Sequence, residues 1–397
     1  MTSTPWAGSA YADDAETLQE KPLPTAAVSQ ETVGGTPAGE SGEGSPAAPV
    51  EEEEGSQADT AVDGPEEAPR VRTSDELTAV RTRTETRKAK KGWRGGVRRA
   101  TFGLVAPKVG PRESAEIEDR SHVNGVWLRT KTVVVANPKG SAGKTPTTAM
   151  LAAAFGDIRG GGVVAWDNNE TMGTLGQRTV PTRFHTTVLD LLDNLENFER
   201  IDAKKGELSA FMRPQESGQF HVLASDEDPA QMIQIGEEEF SRIHTVLSRY
   251  YDVIVVDTGN NSRAENFVAA IEQADALVIP TRWSEDSVTR AGKLVDQLRA
   301  SGHDDLVERA ITVTTGPVAT DATPEMLRGW RAWFADTTAA VVDVPQDKHI
   351  GAGGPIEHKN LGAATRRAYL AAAARVAEQF TASEEASAFR SIKEKKA

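Results

Sequence analysis

The chain has 397 residues, a net charge of −14 and no cysteine, which excludes a disulfide framework and a thiolate zinc site. It contains no run of about 18 apolar residues and no basic-then-apolar leader, so the composition predicts a soluble, cytoplasmic chain. Charge is unevenly spread. Residues 1–69 hold 15 acidic residues against one lysine and are rich in Pro, Gly, Ser, Ala and Glu. Too few aromatic and branched aliphatic residues are present to offset the entropy of ordering, so this stretch reads as a long disordered acidic tail, for solvation and spacing or for binding.

Residues 70–127 read as a basic linker or arm, with 13 Lys or Arg against three acids between 70 and 112. In TRKAKKGWRGGVRRATFGLVAPK the charge is interleaved with Trp93, Val97, Phe102, Leu104 and Val105. Three readings stay open: a nucleic-acid contact, an anionic membrane contact, or a linker folding back on the acidic tail. Gly95 and Gly96 weaken a continuous amphipathic helix here, and a membrane partner is not expected.

From residue 128 to 382 apolar strands alternate with amphipathic helices. Strands are predicted at 132–136, 163–166, 221–224, 253–257, 276–280, 310–314 and 340–344. Helices are predicted at 147–155, 238–248, 263–273, 287–300 and 324–334. Such alternation implies a mostly parallel sheet with helices on both faces, and ligands gather at the carboxyl ends of its strands. The C-terminal section 383–397, ending in FRSIKEKKA, reads as a frayed basic tail.

Within KTVVVANPKGSAGKTPTTA, a buried strand passes through a small-residue loop into a helix. The loop Lys139, Gly140, Ser141, Ala142, Gly143, Lys144, Thr145 offers backbone N–H groups with little side-chain bulk, and the following helix turns its positive end to the same point. Lys144 is placed to reach the β- and γ-phosphates of a nucleotide and Thr145 to offer its hydroxyl to Mg²⁺. Pro146 is tolerated in a first helical turn. Asp257 closes the apolar run YDVIVVD, the form of a second nucleotide motif whose acid holds Mg²⁺ directly or through water. Asp167 closes VVAWD at another strand end. There it either positions an attacking water or caps its loop. The seven histidines show no paired ligand spacing, so no metal beyond Mg²⁺ is expected.

The strict phosphate-loop pattern wants glycine five residues before Gly143, where Pro138 stands. With Lys139 beside it, ANPKGSAGKTPTT resembles the deviant loop of the ParA/MinD family of ATPases. The resemblance implies a three-layer P-loop NTPase fold over about 130–380. It also implies slow ATP hydrolysis stimulated by a protein partner, and a homodimer formed around two ATP molecules. Lys139 then corresponds to the lysine that reaches the partner's phosphates, and Asp167 to the second acid of a switch pair whose first place is Ala165. Asn168, Asn169 and Glu170 belong to that switch. After Asp257 the family commonly has a proline pair, whereas Thr258, Gly259, Asn260 and Asn261 follow here. GWRGGVRR and GLVAPKVGPRESAE are similar to the segment preceding the ATPase domain in actinobacterial MinD-like proteins, including some associated with type VII secretion. The family's functions imply two roles: DNA partition through ATP-dependent, non-specific DNA association, or an accessory role in secretion or positioning. Residues 113–397 hold 41 acids and 31 bases, so any DNA contact would lean on the 70–112 arm or on a local patch.

Overall fold

Two helices precede the sheet. In the computed structural model, which describes residues 92–102, 108–169, 173–183, 185–225 and 235–394, the first is Gly92–Ala100 (α1). It runs through Gly95 and Gly96, which were expected to weaken it. The second, Pro111–Val123 (α2), starts with proline in its first turn, where a missing N–H removes nothing. It lies in the stretch expected to be linker, yet Val123 is fully buried and Asp119 pairs with Arg375 at 3.3 Å. The ordered fold therefore begins before 128. The expected disordered tail, residues 1–69, lies outside the described residues, as does Glu170 of the first switch.

The seven expected strands form, with an eighth. In chain order the main elements are Lys131–Val135 (β1), Lys144–Arg159 (α3), Val163–Asn168 (β2), Arg213–Gln215 (β3), Phe220–Leu223 (β4) and Glu237–Ser248 (α4). There follow Val253–Thr258 (β5), Glu265–Glu272 (α5), Ala276–Thr281 (β6), Glu285–Ala300 (α6), Ile311–Thr314 (β7), Pro324–Thr337 (α7), Ala340–Asp343 (β8) and Ala363–Glu394 (α8). The sheet order is β3-β4-β2-β5-β1-β6-β7-β8, parallel except where β3 pairs with β4. At three residues, carrying a proline and an arginine, β3 leaves almost no apolar run to read.

β1, β2, β5 and β6 are buried at every position because both faces of the sheet are covered. Alternate residues of each strand feed opposite layers. Val134, Val164, Ile254 and Leu277 meet α4, α5 and α6, where Trp166 stacks on Phe240 with ring centroids 4.5 Å apart. Val133, Val135, Val255 and Val278 meet α2, α3 and α8. This is the three-layer fold with a mostly parallel sheet that the alternation predicts. One further correction concerns the C-terminus: α8 continues to Glu394 rather than ending near 382. The stretch TASEEASAFRSIKE, free of Pro and Gly, favours helix. Glu384 also ties it to β1, accepting from Leu128 N–H at 2.9 Å and pairing with Lys131 at 2.8 Å.

Candidate functional site

β1 lies between β5 and β6, so the loop leaving its carboxyl end emerges at the middle of the sheet. Side chains brace that loop from both sides. Asn137 donates through Nδ2 to Pro280 O on β6 at 2.8 Å and accepts the Lys139 N–H at 2.9 Å. Thr315, just past β7, donates to Ala142 O at 2.9 Å. Gly143 turns the chain into α3 at φ +96°, and a Cβ there would collide with Thr315 Oγ1, so glycine is required on both counts. Ser141 also has positive φ, at +62°. The tight loop leaves its amides and the first turn of α3, carrying Lys144, Thr145 and Pro146, facing a common point.

That point opens on a cavity of about 570 Å³ whose lining includes Gly140, Lys144, Thr145, Asn260 and Arg282. Lys144 is nearly buried, and its ammonium donates to Asn137 O at 2.9 Å and to Asn260 Oδ1 at 2.7 Å. Thr145 Oγ1 lies 3.1 Å from Thr174 Oγ1.

The two acids sit beside each other. Asp167 on β2 and Asp257 on β5 are directly opposite in the parallel ladder, and both are almost fully buried. Burial pushes the Asp257 carboxyl up to about 7, and the Asp167 carboxylate pushes the same way. Hydrogen bonds from Thr145 and Thr148 and the charge of Lys144 act against them. Asp257 Oδ1 is buried without a hydrogen-bond partner. An acid beside a second acid, with an orphaned oxygen and a threonine hydroxyl close by, is a donor set that fits a hard divalent cation. No group of three or more His, Asp or Glu side chains that could hold a metal occurs among the described residues. A cation here would thus take further oxygens from hydroxyl, phosphate or water.

Asp167 does cap its loop: Oδ2 accepts the Leu175 N–H at 3.0 Å. Gly173 makes this approach possible, since a Cβ there would overlap Asp167 Oδ2 and Ser225 Oγ. The capping reading is therefore met, and the same bond fixes the carboxylate at the strand end. Lys139 stands apart from this group. Its ammonium pairs with Asp286 Oδ2, in the first turn of α6, at 2.6 Å, and that pairing holds the Asp286 carboxyl below its ordinary value. Sequence reasoning missed the bracing by Asn137 and Thr315 and the two partners, Asn260 and Asp286, that hold the lysines. Single polar residues in loops or at a helix start carry no periodic signal that would have marked them.

No protein-family model matches the chain. Its sequence is similar to the ESX-1 secretion-associated protein EspI of Mycobacterium tuberculosis, 24% identical over 297 residues, 74% of this chain and 43% of that protein. The chain thus spans less than half the length of this curated relative. Its structure is similar to the cell division ATPase MinD of Pyrococcus furiosus, with 20% identity and a TM-score of 0.48, covering 61% of this chain and 97% of that one. It is also similar to the septum site-determining protein MinD of Pyrococcus horikoshii, complexed with Mg-ADP. There the identity is 21% and the TM-score 0.48, covering 63% and 95%.

Proposed function

We propose that the chain is a MgATP-dependent switch of the ParA/MinD type, with a deviant phosphate loop, that hydrolyses ATP slowly and dimerises around two nucleotides. One observation carries this reading: a braced glycine loop, a nearly buried Lys144 and the adjacent carboxylates Asp167 and Asp257 meet at the carboxyl ends of β1, β2 and β5. The loop amides from Gly140 to Thr145 and the Lys144 ammonium bind the phosphates, and Thr145 and Asp257 are the residues to hold Mg²⁺. When bound, Mg²⁺ supplies positive charge to the transferred phosphoryl group. Asp167, fixed by Leu175 N–H, orients the attacking water, so positioning rather than covalent chemistry is its contribution. Lys139 leaves Asp286 to complete the site of a second copy. Phosphate release and light scattering with ATP test the reading together; unchanged turnover in Lys144→Ala would sink it.

For the task the switch serves, we favour an accessory role in ESX-type secretion. The similarity to EspI over 74% of the chain supports it, together with the excess of acids in residues 113–397. We place the protein in the cytoplasm; no helix among the described residues is long and apolar enough to cross a membrane. A protein partner that stimulates hydrolysis belongs to the same reading. DNA partition is the second reading, favoured by the basic stretch 70–112. An ATP-dependent DNA mobility shift at low salt, lost on deleting that stretch, would reverse the preference.

A further inference from the structure

Lys144 Nζ is surrounded by three oxygens. Two are backbone carbonyls of the phosphate loop itself, Asn137 O at 2.9 Å and Lys139 O at 3.5 Å. The third, Asn260 Oδ1 at 2.7 Å, comes from the segment after β5, 116 residues further along the chain. It gives the shortest of the three contacts and belongs to an exposed side chain. An ammonium can only donate, so the Asn260 amide must present Oδ1 to it, and its Nδ2 then carries two donors of its own. A Cβ built on Gly140 would lie 3.9 Å from Nδ2, so the amide nitrogen sits over the part of the loop that carries no side chain.

The segment bearing Asn260 hangs between two anchors. Thr258 donates to Val135 O at 3.0 Å, and Ser262 exchanges bonds with Gln297 of α6 at 2.6 and 2.7 Å. Gly259, Asn260 and Asn261 lie between them. A phosphate oxygen on the loop amides would contend with Asn260 Oδ1 for the same ammonium.

We propose that Asn260 is the phosphate sensor of the segment after β5, competing through Oδ1 for Lys144 and offering Nδ2 to the terminal phosphate once that phosphate has claimed the lysine. This rests on the ATP-binding reading above and names the residue that regulates the site. Asn260 is a positioning residue. Its exchange of partners passes to α6, which also bears Asp286, through the Ser262–Gln297 pair.

The test is nucleotide titration of wild type, Asn260→Asp and Asn260→Ala with fluorescent ATP and ADP analogues, with amide hydrogen exchange of residues 258–264. Asn260→Asp puts a carboxylate against Lys144 and the phosphates and should weaken both nucleotides at least about tenfold. Asn260→Ala removes the competitor and the donor together, so ADP should bind about threefold tighter while the preference for ATP over ADP falls. Exchange of 258–264 should then no longer respond to the γ-phosphate. Asn260→Ser replaces the alanine variant if that one fails to fold. A nucleotide preference and exchange pattern matching wild type would overturn the proposal. If the wild type itself binds neither nucleotide, the ATP reading falls first and takes this inference with it.

Discussion

Two buried lysines stand at the start of the strand and at the start of the helix of one strand-loop-helix unit, and their surroundings differ in kind. Lys131 opens β1 and is wholly buried, with Glu384 at 2.8 Å and Asp275 at 3.7 Å. Asp275 in turn takes Arg129 at 2.5 Å and the Thr132 N–H at 3.0 Å. Its counter-charge is built into the fold, from the loop before β6 and from α8. Lys144 opens α3; its ammonium donates to Asn137 O and Asn260 Oδ1, oxygens with no formal charge, and its charge also acts on the Asp257 carboxyl at the neighbouring strand end. A buried charge answered by carboxylates joins distant parts of the chain. One that donates to loop oxygens at the carboxyl ends of parallel strands is placed where an anion would meet it.

The largest effects should separate the two lysines. Lys144→Ala should lower ATP turnover at least about a hundredfold, the scale of losing one donor to the developing charge, with little change in thermal midpoint. Lys131→Ala should do the reverse. It takes the counter-charge from Glu384, leaves Asp275 with Arg129 alone and should destabilise the fold by about 3 kcal/mol, while the molecules that remain folded keep their turnover. Thermal melts paired with phosphate-release rates read both. A folded Lys131→Ala that cannot hydrolyse ATP would break the comparison.

Asp257 sharpens it, because here function opposes stability. Its carboxyl is raised to about 7 by burial and by Asp167, so the folded chain holds a proton there that the unfolded chain releases near pH 4. Its contribution to stability therefore declines as pH rises from about 4 to 7 and stays low above that. Asp257→Asn should accordingly stabilise the protein, measured without nucleotide at pH 8, by about 1–2 kcal/mol. The same variant should lose most Mg²⁺-dependent turnover. A variant that is both less stable and inactive would count against the strained-acid account.

Much of this was legible in the residues. The alternation of apolar runs located all seven parallel strands; for β1, β2, β5 and β6 the reason is burial on both faces, which demands apolar residues along nearly the whole strand. Gly143, Lys144, Thr145, Asp167 and Asp257 were marked by spacing and by their places at strand ends, and the fold brings them together. α2 was not legible as part of the fold. PRESAEIEDRSHV has a mostly polar surface, and its place is set by Asp119 meeting Arg375, 256 residues away. The partners of Lys144 and Lys139 were equally hidden, since Asn260 and Asp286 are single polar residues whose meaning comes from the turn of β5 and the start of α6.

Lys139 offers a smaller test on the functional side. Its pairing with Asp286 is half-exposed, so breaking it should leave the thermal midpoint close to that of wild type. Lys139→Ala should keep ATP binding yet weaken the ATP-induced dimer about tenfold or more, as a charge-assisted contact to phosphate is lost. Light scattering with ATP and with ADP checks this, and a dimer of undiminished strength would remove Lys139 from the interface.

The smallest effect belongs to Lys131's partner. Burial acts to raise the Glu384 carboxyl, but the bonds from Lys131 and the Leu128 N–H, with Arg129 nearby, hold it below its ordinary value. A lowered acid stabilises the fold above its unfolded value, about 4.3, and loses that contribution as pH falls through the folded value. Glu384→Gln should therefore cost about 1 kcal/mol at pH 7 and progressively less below about pH 4, so the wild-type and variant curves converge in acid. Chemical denaturation at pH 7 and at pH 3.5 measures the gap. A gap of constant width would mean that Glu384 acts through its shape rather than its charge, and Lys131 would then owe its burial to Asp275.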